Sequence, residues 1–289
     1  MNRMRIRVLA VLFVLAPVSP VFAQLLVAKG GPVVYGHHHL NVSNIDASKK
    51  FFVDTLGGTL IKVGANNAEI VKFPNVLIFF RPQAPTGGTK GTTANHIGFS
   101  VPNLRQAVDK VKANGYRMIT REEAAPDRKV EDDIAGPPPA GGSSIAFIMG
   151  PDDTKVELVE VKTQSIPIAL HHVHFFNPKN AEMRDWYVKV FSAKPGTGGG
   201  GAFLTGTLPG VSLNFSPSPD PVVGTQGRSL DHVGFEVKNL EEFCKRLEAD
   251  GIKMSGAYRK VPALNIAIAF ITDPWGTYIE LTEGLDKVS

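Results

Sequence analysis

Two stretches of the 289-residue chain answer each other without a gap: "NHIGFSVPNLRQAVDKVKANGYRM" from Asn95 and "DHVGFEVKNLEEFCKRLEADGIKM" from Asp231. Such a repeat constrains the fold strongly, because each copy must be one supersecondary unit that buries its apolar face against a neighbour. Each copy reads as a short alternating strand, an asparagine suited to capping, an amphipathic helix and a glycine that stops it. Helical spacing puts Leu104, Val108 and Val111 of one copy, and Leu240, Phe243 and Leu247 of the other, in the core. Looser copies begin at Gly36 ("GHHHLNVSNIDASKKFFVDTLGG") and His171 ("HHVHFFNPKNAEMRDWYVKVF"); they pair His37 with His172 and His39 with His174. Strand-like runs follow every helix. The unit is a strand, a helix and two or three further strands, written four times.

The first 23 residues carry Arg3, Arg5 and Arg7, an apolar run and then Ala23, the pattern of a secretory signal cleaved after Ala23. The chain is therefore expected to be exported, to the periplasm or beyond. Without those three arginines the 31 basic residues become 28 against 27 acidic ones, a net charge of +1. That balance argues against nucleic acid or an anionic membrane as partner. The lone cysteine, Cys244, shares an apolar helical face with Phe243 and Leu247 and reads as a small buried hydrophobe. Glycine- and proline-rich loops separate the units and read as flexible connectors. The segment 124–142 inserts about 13 residues absent from the fourth unit, which makes it a candidate lid.

All eight histidines, His37, His38, His39, His96, His171, His172, His174 and His232, lie on the first strand of one of the four units. Matching carboxylates come from the last strands, where "GPDDTKVELVE" aligns with "DPWGTYIELTE" and pairs Glu157 with Glu280. Alternation turns each glutamate away from its apolar neighbours and toward a cavity. Glu160 and Glu283, three residues on, fall on the other face and are expected to meet solvent. Two sets result: His37, His96 and Glu157, then His172, His232 and Glu280. Two imidazoles and a carboxylate suit a divalent iron, manganese, zinc or nickel ion, with positions left open for water or a small-molecule substrate. His39 and His174, two residues beyond the proposed ligands, are on the right face to shuttle a proton. His38 and His171, on the other parity or at the strand edge, have no expected role in the site.

With "HIGFSV" or "HVGFEV" leading into a helix, and "DPWGTYIEL" later, the chain resembles the vicinal oxygen chelate superfamily from about Tyr35 to Leu285. That superfamily includes glyoxalase I, extradiol dioxygenases, fosfomycin-resistance transferases and bleomycin-binding proteins. The resemblance implies an α+β fold of four βαβββ modules paired into two cupped, half-open barrels. Modules one and two (35–163) would form the first barrel, and three and four (168–286) the second. It places metal ligands at His37, His96 and Glu157, and at His172, His232 and Glu280. The further ligand of the glyoxalase branch falls on Phe79 and Asn214, and on this ground the second barrel is expected to be the stronger site. The implied activity is a lyase, isomerase or dioxygenase reaction on a small vicinally oxygenated molecule. A metal-free binding protein of the bleomycin-resistance type is the alternative.

Overall fold

The computed structural model describes residues 32–287; the expected export signal at 1–23 lies outside them. Four modules form. Module one comprises β1 (Val33–Val42), α1 (Ile45–Lys49, continued by a wider helical turn over Lys50–Thr55), β2 (Thr59–Val63), β3 (Ala68–Phe73) and β4 (Val76–Pro82). Module two has β5 (Ala94–Val101), α2 (Leu104–Ala113), β6 (Arg117–Met118), α3 (Thr120–Glu123), β7 (Val130–Glu131), β8 (Ile134–Ala135), β9 (Ile145–Met149) and β10 (Lys155–Glu160). Module three has β11 (Ala169–Phe176), α4 (Asn180–Phe191), β12 (Lys194–Gly198), β13 (Phe203–Leu208) and β14 (Val211–Ser216). Module four has β15 (Leu230–Val237), α5 (Leu240–Ala249), β16 (Met254–Val261), β17 (Ile266–Thr272) and β18 (Tyr278–Glu283).

The expected pairing of consecutive modules does not occur. One sheet runs β16-β17-β18-β15-β1-β4-β3-β2 and joins module four to module one; the other runs β12-β13-β14-β11-β5-β10-β9-β8-β7 and joins three to two. Each cup is closed at its centre by two antiparallel first strands, β1 with β15 and β5 with β11. Residues 35–163 and 168–286 thus each supply half of both cups. The connectors explain this arrangement. From β10 to β11 the chain needs only a short turn across the neighbouring β5, whereas the glycine- and proline-rich segments 83–93 and 217–229 are long enough to cross between sheets. Those two crossovers lie side by side: Thr93 N donates to Val223 O at 2.9 Å, Val223 N to Gly91 O at 3.0 Å, and Ser229 N to Gly87 O at 2.9 Å. Segments expected to be flexible connectors are mutually hydrogen-bonded.

One continuous apolar core lies between the sheets, since every first strand sends alternate side chains inward and the others into its cup. Phe73 meets Phe99 across the two sheets at 4.7 Å between ring centroids, and Phe191 stacks on Phe235 at 4.4 Å. Cys244 is buried here beside Phe243 and Leu247, and burial pushes its thiol up to about 11. Among the described residues no helix is long and apolar enough to cross a membrane.

Glu160 and Glu283 do face away from the cups, but they meet helix ends rather than solvent. Glu160 accepts from Leu104 N at 3.3 Å, and Glu283 from Asn239 N at 3.2 Å and Leu240 N at 3.1 Å. The first N–H groups of a helix have no partner within it and carry partial positive charge, so a carboxylate is drawn to them. Asn103 caps α2 by accepting from Gln106 N at 3.0 Å, but Asn239 sits at φ +56° with no capping bond, leaving Glu283 as the cap of α5. Glu283→Ala is expected to destabilise the fold by about 1 kcal/mol, measured as a lower urea midpoint at unchanged slope.

Candidate metal centres

Strand register brings the histidines and glutamates together. In the sheet of modules two and three, His174 lies opposite His96 and His172 opposite Gly98, while Glu157 flanks Gly98 from the other side. Gly98 therefore lies beneath the point where His172 and Glu157 meet. A Cβ there would come within 2.1 Å of the His172 ring, so only glycine admits the imidazole. Gly234 repeats the arrangement between His37 and Glu280, with a Cβ again 2.1 Å from the ring.

The resulting sets differ from those expected. His96 and Glu157 stand with His172 and His174, all offering donor atoms within 4.8 Å of one another; His37 stands with His232 and Glu280. His37 and His172 have thus changed places, because each is a first-strand residue aligned with the other and either could serve either partner. In the first cluster, Glu157 Oε2 is 2.9 Å from His96 Nε2 and 3.1 Å from His172 Nε2. In the second, Glu280 Oε2 is 3.0 Å from His37 Nε2 and 2.9 Å from His232 Nε2. Donors about 3 Å apart are the spacing that two ligands at ~2.1 Å from one ion adopt at right angles.

Residues the sequence reading missed fix the protonation of His96. Lys155 Nζ donates to Asn95 Oδ1 at 3.0 Å and, at 2.5 Å, to Glu123, which also takes Lys90. An ammonium only donates, so Asn95 presents its oxygen, and His96 Nδ1 must donate its proton to that oxygen at 3.0 Å. Burial and the nearby Lys155 charge hold His96 down to about 3, so the ring is neutral and its Nε2 carries a lone pair. That lone pair faces the buried Glu157 carboxyl at 2.9 Å. Two lone pairs 2.9 Å apart call for a cation between them. The donor set fits a divalent metal.

His174 sits in the same cup, fully neutral by burial beside His96 and His172, with its Nε2 2.8 Å from Ser216 Oγ. Its counterpart His39 packs between Phe79 and His232, and burial pushes it down to about 3. His38 is buried on the opposite face against the Tyr35 hydroxyl at 2.9 Å, away from either cluster, as expected. His171 is a correction: a bulge between Leu170 and His172 breaks the strand alternation and turns it into the cup, with its Nδ1 2.8 Å from that of His172. The repeat itself held a signal for Asn95, since Asp231 occupies the equivalent place before His232.

The two cups have different interiors. In the cup of modules two and three, Ser212 and Asn214 lie beside His172 and His174 on the neighbouring strand, and a cavity of about 900 Å³ opens over the cluster. Segment 124–142 roofs it through Ala125, Arg128, Pro138 and Ala140; Arg128 ties the roof down by donating to Gly136 O at 2.8 Å and Ser143 O at 3.0 Å. In the other cup Leu77 and Phe79 take the places of Ser212 and Asn214. There the hairpin tips meet, with Ala65 N donating to Ala263 O at 3.2 Å, over an apolar cluster of Val63, Ile70, Leu77, Ile266, Ile268 and Leu285. The cup itself stays accessible: His39, Phe79, Phe270 and Tyr278 are half-buried, and Glu280 is no more buried than Glu157. Asn214 thus lies in the open cup, but with His96 and Glu157 rather than with His232 and Glu280. Gly98→Ala is expected to displace His172 and lower metal affinity at least ~10-fold while leaving the fold intact, checked by metal titration alongside circular dichroism.

A profile of the Glyoxalase/Bleomycin resistance protein/Dioxygenase superfamily matches residues 34–136 and 122–281. A lactoylglutathione lyase of Escherichia coli O157:H7 is 28% identical over 138 residues, which is 44% of this chain and 91% of that protein. The lactoylglutathione lyase of Haemophilus influenzae is 27% identical over 141 residues, 44% of this chain and 92% of its own length. Glyoxalase I from Zea mays superposes with a TM-score of 0.64 at 16% identity, covering 88% of this chain and 94% of that one. A putative dioxygenase from Bacillus subtilis does so with 0.61 at 11% identity, over 87% and 85%. With its four modules, two cups and histidine–glutamate clusters, the chain belongs to the Glyoxalase/Bleomycin resistance protein/Dioxygenase superfamily.

Proposed function

We propose that the open cup is the catalytic site of a metal-dependent, glyoxalase-type lyase or isomerase. It would act on a small molecule with two neighbouring oxygens. The observation that carries this reading is the convergence of His96 Nε2 and His172 Nε2 on Glu157 Oε2, at 2.9 and 3.1 Å, beneath a cavity large enough for such a substrate. His96, His172 and Glu157 would hold the ion. When bound, it supplies Lewis-acid stabilisation of the negative charge that develops on substrate oxygen.

The chain's own residues would do the rest. Lys155 and Asn95 orient His96 and keep its proton on Nδ1. Neutral His174 shares a hydrogen bond at Nε2 with Ser216 Oγ at 2.8 Å and would move a proton at the substrate. The Phe147, Phe176 and Phe203 rings and the 124–142 segment line the cavity and would limit the water that reaches a bound substrate. Ring cleavage by a dioxygenase is the second reading, favoured by a three-ligand set that matches the two-histidine, one-carboxylate pattern of oxygen-using iron sites. A metal-free binding role would leave the His96 lone pair opposed to a carboxylate with nothing between them.

Export through the segment 1–23 is part of the same proposal, and a mature protein beginning at Gln24 would be the sign of it. Glu157→Gln is expected to reduce turnover by about 10²–10³-fold, the loss of several kcal/mol of charge stabilisation. The assays are thiol-dependent consumption of methylglyoxal and oxygen uptake with catechols; activity in the second alone selects the dioxygenase reading. Absence of stoichiometric metal from protein purified without chelator would sink both. His174→Asn is expected to lower kcat about 100-fold with metal content unchanged. Loss of metal in that variant would instead make His174 a ligand.

A further inference from the structure

Three cationic side chains line the cavity of the open cup: Lys90, Lys155 and Arg128. Two of them are engaged by a carboxylate, since Lys90 and Lys155 both reach Glu123 at 2.5 Å. Arg128 is different. Among the described residues no carboxylate lies within ion-pair distance of it, and its partners are backbone oxygens: Nη1 donates to Gly136 O at 2.8 Å and to Ser143 O at 3.0 Å. Those two bonds use both protons of Nη1 and fix the plane of the guanidinium. The Nε proton and its parallel neighbour on Nη2 have no partner among the described residues. That edge is the fork that grips a carboxylate through two hydrogen bonds. The acidic neighbours Asp127 and Asp220 are exposed to solvent, which screens them. Arg128 itself is half-buried and belongs to the segment 124–142 that module four lacks, so the second cup has no counterpart to it.

We propose that Arg128 is a specificity residue of the open cup, selecting substrates that carry a carboxylate apart from the two oxygens presented to the histidine–glutamate cluster. Such selection presupposes the open cup as the substrate site. The carboxylate meets a fork already held flat by Gly136 and Ser143, so little ordering remains to be done on binding. Elsewhere the wall is aromatic, with the Phe176 and Phe203 rings 4.9 and 5.1 Å from that of His174, and among the described residues it offers no second free cation. An acid with one carboxylate and an apolar body matches that lining better than a polyanion does.

The test is isothermal titration of the full mature chain with phenylacetate and with its neutral isostere phenylacetamide. The wild type should bind the acid at least ~10-fold more tightly than the amide, the gain of a charge-assisted pair of hydrogen bonds. Arg128→Gln should abolish that preference while leaving affinity for the amide nearly unchanged. Should that variant fail to fold, Arg128→Lys, which keeps the charge but loses the fork, should retain only part of the preference. The preference should also persist in the presence of a chelator, so an inactive cup that still prefers the acid would leave this site standing and remove only the catalytic reading. No binding of phenylacetate, equal affinities for acid and amide in the wild type, or a preference that vanishes with chelator would each overturn the proposal. So would a preference unaltered in the Arg128 variants, or an equal loss of both ligands in Arg128→Gln, which would make Arg128 a strut of the roof alone.

Discussion

The structure depends on the antiparallel contact between two first strands, made twice. In each contact a histidine lies across a glycine, His172 over Gly98 and His37 over Gly234, and a glutamate leans in from the far side of the same glycine. The absence of two Cβ atoms lets three side chains converge at each place, and the hydrogen-bond ladder makes their spacing rigid. The opposite faces of these strands build the apolar core between the sheets. Site and core are thus two sides of one pairing.

From this shared frame the cups have diverged through few residues. Ser212 and Asn214 keep one interior polar and roomy; Leu77 and Phe79 fill the other. Asn95 with Lys155 backs one ligand histidine, Asp231 with Tyr278 the other. Duplicated modules can diverge in this way because the backbone that places the ligands is stabilised elsewhere, by a core that the cup residues do not touch.

Much of this was legible in the chain. The repeat named four modules, the first-strand histidines and last-strand glutamates named the two clusters' residues, and strand alternation pointed His39 and His174 into the cups. The misreadings have specific physical causes. Alternation failed at His171 because a bulge adds a residue, and bulges leave little sequence trace. Glu160 and Glu283 looked solvent-facing because a charged residue on the outer face of a strand does not reveal that a helix N-terminus lies against it. Lys155 carried no signal in the sequence, because its partners Asn95 and Glu123 come from distant parts of the chain.

By itself the sequence determined the unit, its number and the residue types at each site, since these follow from local periodicity and the offset between copies. Which module pairs with which was decided only in three dimensions. His37 and His172 are equivalent by position, and so are His96 and His232, so pairing module one or three with either module two or four completes a two-histidine, one-glutamate cluster. The choice rests on linker reach: a short turn from β10 to β11 and two long crossovers from β4 to β5 and β14 to β15, whose mutual hydrogen bonds no local pattern announces.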